Sequence, residues 1–191
     1  SREFITFATP RMRDAFGGSG PAWEAEALWR HYTRVERGFI RVDADEVTYP
    51  AHVILRYRLE KAMIADELPL ADLPAAWNDG MQALLGVVPP NDRLGCLQDI
   101  HWPSGGWGYF PTYTLGAMTA AQIFDAANRA EPDILPAIGR GDFAPLVGWL
   151  RANIHGQASR WETDELLTRA TGRPLDAAVF KAHLRRRYGG E

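Results

Sequence analysis

The chemistry-bearing residues of this chain crowd into one stretch, Gly95 to Gly116, which reads GCLQDIHWPSGGWGYFPTYTLG. Gln98, Asp99, His101, Tyr109 and Tyr113 stand there among tryptophans and glycines, a mixture poorly suited to a plain helix or strand. Gly105, Gly106, Gly108 and Gly116 let backbone and ligand approach closely. Tyr109 and Tyr113 offer phenolic donors that an apolar core does not request. The stretch is expected to form one wall of an active site, with the rest of the chain supporting it or supplying a charged partner.

Known chemistries narrow by elimination. Histidines occur at positions 31, 52, 101, 155 and 183, and no two form the HxxxH spacing that places a pair of imidazoles on one helical face for zinc. No cysteine pair substitutes for them, so the sequence reveals no metal site in this chain. A phosphate-cradling glycine loop ending in Lys-Ser or Lys-Thr is missing, as is a GxSxG elbow. The single cysteine, Cys96, cannot form an internal disulfide and reads as a small buried hydrophobe rather than a nucleophile. What remains is a substrate-handling set: Arg41, Asp45, Gln98, Asp99, His101, Tyr109 and Tyr113.

The totals constrain partners. With 191 residues and 46% hydrophobic content the chain can bury one good core or a large piece of a bigger one. Its 21 basic and 24 acidic residues give a net charge of -3, which offers no broad basic field to nucleic acid or anionic lipid. The Arg185 to Arg187 run fits the last turn of a helix, where the dipole favours cations. Nothing resembles a secretory or membrane-spanning segment, and a cytoplasmic location is expected. The chain opens on Ser1 inside an amphipathic pattern of Phe4, Ile5, Phe7 and Met12, and so reads as the continuation of a longer protein.

The elements that must position these residues are mainly helical. Helices are predicted from Arg2 to about Phe16, from about Ala22 to Gly38, from Thr48 to about Asp66, from Asp72 to Gly86, and from Pro111 to about Glu131. Three more run from Asp142 to Gly156, from Thr163 to Gly172, and from Asp176 to Gly189. The Thr48 helix is apolar around much of its circumference and should be central; its Arg56 and Glu60 read as an i,i+4 pair on a solvated face. A short strand is expected over Phe39 to Val42, where apolar and polar residues alternate, with Gly105 to Tyr109 as its partner. The sum is about eight helices and one or two short strands, without a linker long enough to split the chain.

Two segments carry a family resemblance. FIRVDADEVTYPAHVILRYRLEKAMI, Phe39 to Ile64, resembles the IRxxAD motif and following helix of the thermostable metallocarboxypeptidases, zinc enzymes with a neurolysin-like helical fold. GCLQDIHW, Gly95 to Trp102, is similar to their GxxQDxHW motif at every fixed position. GYFPTYTLG, the AAQ at Ala120 to Gln122, and TDELLTRATGRPL resemble the segments C-terminal to that motif in those enzymes. Pro103 and Trp107 depart from the expected pattern.

The resemblance implies that residues 1 to 191 are the C-terminal, substrate-binding portion of a single larger helical domain. The zinc-binding HExxH helix, the third ligand (a glutamate on a following helix) and the general-base glutamate would lie upstream, so zinc belongs to the full-length parent and none is expected here. The parent would remove C-terminal residues from peptides, this portion alone being inactive, and family habit implies a homodimer. Arg41 can clamp the substrate's free carboxylate with paired charge-assisted hydrogen bonds, or sit in a structural ion pair with Asp43, Asp45 or Asp99. Gln98, Asp99 and Asp45 complete the candidate substrate-binding set, the two carboxylates by orienting Arg41, His101 or a backbone turn, because bare carboxylates repel a carboxylate substrate. Tyr109 or Tyr113 is expected to donate to the oxyanion, with His101 as a further donor or a structural partner. The competing reading is a non-enzymatic helical interaction module, or a peptidase relic without its metal half.

Overall fold

The computed structural model describes residues 1–189. Nine α-helices occur among the described residues: α1 (Arg2–Phe16), α2 (Ala25–Tyr32), α3 (Tyr49–Ile64), α4 (Leu73–Leu85), α5 (Pro111–Ala130), α6 (Ile134–Arg140), α7 (Ala144–Asn153), α8 (Thr163–Thr171) and α9 (Ala177–Tyr188). Short 3-10 turns cover Pro21–Trp23, Arg41–Asp43, Leu70–Asp72 and His155–Gln157. The chain divides into two compact units, one of residues 1–34 and 117–191, the other of residues 35–116.

In the second unit α3 packs on α4. Leu55 and Leu59 of α3, Trp77, Met81 and Leu85 of α4, and Cys96 from the following loop form its buried core. Cys96 behaves as a packing residue, and burial raises its thiol pKa. Pro50 and Pro74 each fall in a first turn, where the missing N–H costs nothing. Gly86 closes α4 in the left-handed region, its N–H returning to the Gln82 carbonyl.

The expected strand over Phe39 to Val42 is replaced by extended backbone at Ile40 and a 3-10 turn at Arg41–Asp43. The physical reason is one side chain. The Gln98 amide accepts from the Arg41 N–H at 2.9 Å and donates to the Phe39 carbonyl at 3.0 Å, as a neighbouring strand would. Residues Gly105 to Tyr109, expected to pair there, form a loop instead, and no strand occurs among the described residues.

In the first unit α1 packs against α6 and α2, and α6 against α7. Ala127, Ile134 and Ile138 are buried together, flanked by Phe124, Leu146 and Trp149. Helix α6 is absent from the sequence expectation because Pro136 and Gly139 argue against it. Pro136 stands in the first turn, where its backbone nitrogen has no helical acceptor to serve, so the helix survives. Helix α2 also starts later and ends earlier than expected.

The Gln122 side chain, 2% exposed, closes the end of this unit. Its amide donates to Thr171 Oγ1 at 2.9 Å and to the Arg173 and Pro174 carbonyls, while its oxygen accepts from the Asp176 N–H at 2.8 Å. Asp176 in turn caps α9 through the Ala178 N–H. Replacing Gln122 by Leu strands several buried polar groups at once. We expect a loss of about 2 to 4 kcal/mol, read as a lowered urea midpoint with an unchanged slope.

Candidate functional site

The site begins at Asp99. Its Oδ1 accepts from Arg41 Nε at 3.1 Å and Nη2 at 2.7 Å, and its Oδ2 accepts from Arg56 Nε at 2.6 Å. Arg41 is 5% exposed and Arg56 is fully buried. One carboxylate therefore holds two buried guanidinium groups. Burial works against the Asp99 charge, yet the Arg41 hydrogen bond and the Arg56 charge outweigh it and keep its carboxyl below the ordinary range. Arg41 is raised by the same partnership although burial opposes it; burial dominates at Arg56 and lowers it to about 10, which leaves it charged at neutral pH.

Gln98 joins this pair. Its oxygen also accepts from Arg56 Nη2 at 2.8 Å, and its amide also reaches the Leu94 and Gly95 carbonyls. The amide is fully engaged by protein. Asp45 stands apart in a backbone turn, where it accepts from the Glu36, Val47 and Thr48 N–H groups and the Thr48 hydroxyl. Those bonds hold its carboxyl low against the opposing effect of burial.

The aromatic half lies against Arg41. Its guanidinium carbon sits 5.0 Å from the Tyr113 ring centroid and 5.5 Å from that of Phe110, and its Nη1 donates to the Tyr49 hydroxyl at 2.7 Å. His101 Nε2 lies 3.0 Å from the Tyr113 hydroxyl, and its Nδ1 faces Asp99 Oδ1 at 3.8 Å. A carboxylate on that side favours the ring proton on Nδ1, which makes Nε2 the acceptor of the Tyr113 hydroxyl. Tyr109 packs edge-on against Tyr113, their centroids 5.3 Å apart, and is 51% exposed. The two tyrosines meet even though α5 starts only at Pro111, because the turn that precedes it already returns Thr112 N–H to the Tyr109 carbonyl. Arg41, His101, Tyr109 and Tyr113 thus share one cluster, and Phe110, fully buried, packs against the His101 ring at a tilt, their centroids 4.3 Å apart.

Arg56 and Glu60 correct the sequence reading. They do not face solvent: Arg56 is 0% and Glu60 5% exposed, and each spends its side chain on the loop that follows α4. Glu60 accepts from Trp102 Nε1 at 2.8 Å and from the Gly108 N–H. The signal that could have found them is α3 itself, because a helix apolar on most sides has little solvated face on which to leave charges. Tyr49 and His52 were missed for the same reason. His52 is fully buried, with neither ring nitrogen bonded. Among the described residues no group of three or more His, Cys, Asp or Glu side chains could hold a metal ion. With Asp99 taken by two arginines and His101 Nε2 by Tyr113, these residues do not fit a zinc donor set.

Comparison with known proteins places the chain in a class. The family model for carboxypeptidase Taq (M32) metallopeptidases matches residues 1–188, and the chain belongs to that family. Thermostable carboxypeptidase 1 of Pyrococcus furiosus is 37% identical over 188 residues, a match covering 98% of this chain and 38% of that protein. Thermostable carboxypeptidase 1 of Thermus thermophilus is 41% identical over 179 residues, covering 94% of this chain and 35% of that protein. Among solved structures, Trypanosoma cruzi metallocarboxypeptidase 1 superposes with a TM-score of 0.94 at 40% identity, covering 99% of this chain and 40% of that one. The M32 carboxypeptidase of Deinococcus radiodurans gives 0.92 at 40% identity, covering 99% and 38%. The chain therefore spans well under half the length of these relatives. No helix among the described residues is long and apolar enough to cross a membrane.

Buried and exposed ion pairs should differ in worth. Arg56→Met leaves Asp99 with one cation and takes a donor from Gln98; we expect a loss of about 3 to 5 kcal/mol in urea unfolding. Arg169→Ala, which breaks the exposed pair with Glu165, should cost under about 1 kcal/mol. For His52, burial first, then Arg56 and Arg41, pushes the imidazole from 6.5 down to about 4, against the weaker pull of Asp99 and Asp45. The unfolded chain therefore binds a proton that the folded one refuses, and stability falls as pH drops from 6.5 towards 4, by up to about 3 kcal/mol. His52→Leu should flatten that limb in urea titrations at stepped pH, leaving the loss at lower pH, where Asp99 protonates.

Proposed function

We propose that this chain is the C-terminal, substrate-binding portion of one larger helical domain, that of a zinc-dependent metallocarboxypeptidase acting on peptides with a free C-terminal carboxylate. The observation that carries the reading is the convergence of Arg41, His101, Tyr109 and Tyr113 on one cluster, in a chain whose family is that of metallopeptidases. In this reading the metal ligands and the general base belong to the part of the parent that the chain does not span, the portion alone is inactive, and the parent is a cytoplasmic homodimer. Neither a nucleic acid nor a membrane is a partner.

The residues of this chain have their own work. Arg41 gives Nε and one Nη2 proton to Asp99 and one Nη1 proton to Tyr49, which leaves an N–H on each terminal nitrogen for a carboxylate. The ion pair and the clamp are therefore compatible, with Asp99 fixing the plane of the guanidinium. Gln98 fixes the backbone of Arg41, and Asp45 shapes the turn that leads into α3. Their contribution to substrate binding is through Arg41.

Amide hydrolysis builds negative charge on the former carbonyl oxygen, and a preorganised phenol donates to it better in the transition state than in the ground state. Tyr109 is the donor we assign. Its hydroxyl makes no protein hydrogen bond among the described residues, whereas the Tyr113 hydroxyl is held by His101. Tyr113 and His101 then form the wall against which the Tyr109 ring rests.

The test uses the full-length enzyme. Arg41→Ala should lower kcat/KM on a free-carboxyl peptide by about 100-fold, the worth of roughly 3 kcal/mol, while leaving the slow background on the amidated peptide unchanged. Tyr109→Phe should lower kcat by about 100-fold with little change in KM. Unchanged activity in Arg41→Ala on the free-carboxyl peptide sinks the clamp.

A further inference from the structure

Glu60 is a buried carboxylate whose two bonded partners, Trp102 Nε1 and the Gly108 N–H, are both neutral. Such a group is expensive to bury and is tolerated when its hydrogen bonds fix something that must not move. We propose that Glu60 is a positioning residue for the reaction: by holding Trp102 and Gly108 together, it sets the loop from His101 to Tyr109 and thereby the place of the Tyr109 hydroxyl. The inference rests on the assignment of Tyr109 as oxyanion donor.

The geometry supports each link. Gly108 has φ +76°, a conformation that L side chains rarely adopt, and it is the residue immediately before Tyr109. Fixing its N–H fixes the Trp107–Gly108 peptide plane, one residue before the peptide that enters Tyr109. The other end of the loop is fixed at Trp102, whose indole lies parallel to that of Trp107 at 5.9 Å and edge-on to Phe110 at 5.7 Å. Within the loop the Gly106 N–H returns to the His101 carbonyl at 2.7 Å and the Gly105 N–H to that of Trp102 at 3.0 Å, so it moves as a unit once both ends are held. Arg56, one helical turn before Glu60, grips Gln98 and Asp99. Helix α3 therefore fixes the spacing between the Arg41–Asp99 pair and Tyr109.

The experiment compares Glu60→Gln and Glu60→Asp, in this chain and in the full-length enzyme. Glutamine keeps the shape but turns an amide donor towards one of the two N–H groups; aspartate keeps both acceptors on a shorter stem. In this chain, Glu60→Gln should raise hydrogen exchange at the Gly108 amide at least tenfold while exchange in α4 is unchanged. In the full-length enzyme it should lower kcat about tenfold with KM within twofold, and Glu60→Asp should recover part of kcat. Faster exchange at Gly108 with unchanged kcat, in an enzyme where Tyr109→Phe does lower kcat, overturns the positioning role alone. If Tyr109→Phe leaves kcat unchanged, the oxyanion assignment fails and the inference fails with it. If both Glu60 variants unfold the chain, Glu60 is a general stabiliser and the proposal is wrong.

Discussion

The second unit depends on a single carboxylate that bonds two buried guanidinium groups. Asp99 divides its two oxygens: one serves Arg41 twice and the other serves Arg56. Ion pairs of this kind add little net stability, because the desolvation of each charge consumes most of the attraction. What they do supply is geometry. A guanidinium bonded along one edge cannot rotate, so the remaining N–H groups of Arg41 point in a fixed direction and the adjoining tyrosine rings have a flat cation to pack on.

Helix α3 supplies the frame for this arrangement. His52, Arg56 and Glu60 follow one another at helical spacing and are all buried. The lower two bind the loop that carries the chemistry-bearing residues, whereas His52 sits among the charges as a neutral ring. The apolar residues of the same helix, Leu55 and Leu59, join Trp77, Met81 and Leu85 in the core. One helix thus faces a hydrophobic partner on one side and a polar loop on another. Packing holds the helix in place, and the helix holds the loop.

Much of this was legible in the amino-acid sequence, for reasons that differ by residue. The helices that carry ordinary stop signals, such as Gly86 and Gly172, and ordinary starts, such as Pro50 and Pro74, could be read locally. The cluster of Gln98, Asp99, His101, Tyr109 and Tyr113 stood out because such residues have no business together in a core. Long-range substitutions for backbone pairing were not legible: nothing in Phe39 to Val42 announces that a glutamine side chain from beyond α4 will satisfy its N–H and carbonyl groups. Nor was α6, since a proline within a short apolar run reads as a break unless its place in the first turn is known. Arg56 and Glu60 were misread by treating their spacing as sufficient. The apolar character of the surrounding helix was the better guide.

The shared use of Asp99 has a consequence for how such a sequence can drift. If the aspartate is exchanged for a neutral residue, two cations are stranded indoors; if one arginine goes first, the aspartate still has the other. The order of substitution matters: losing an arginine first strands no unpaired cation, whereas losing the acid first strands two. The three positions are coupled, so the effect of changing one depends on which of the others is still present.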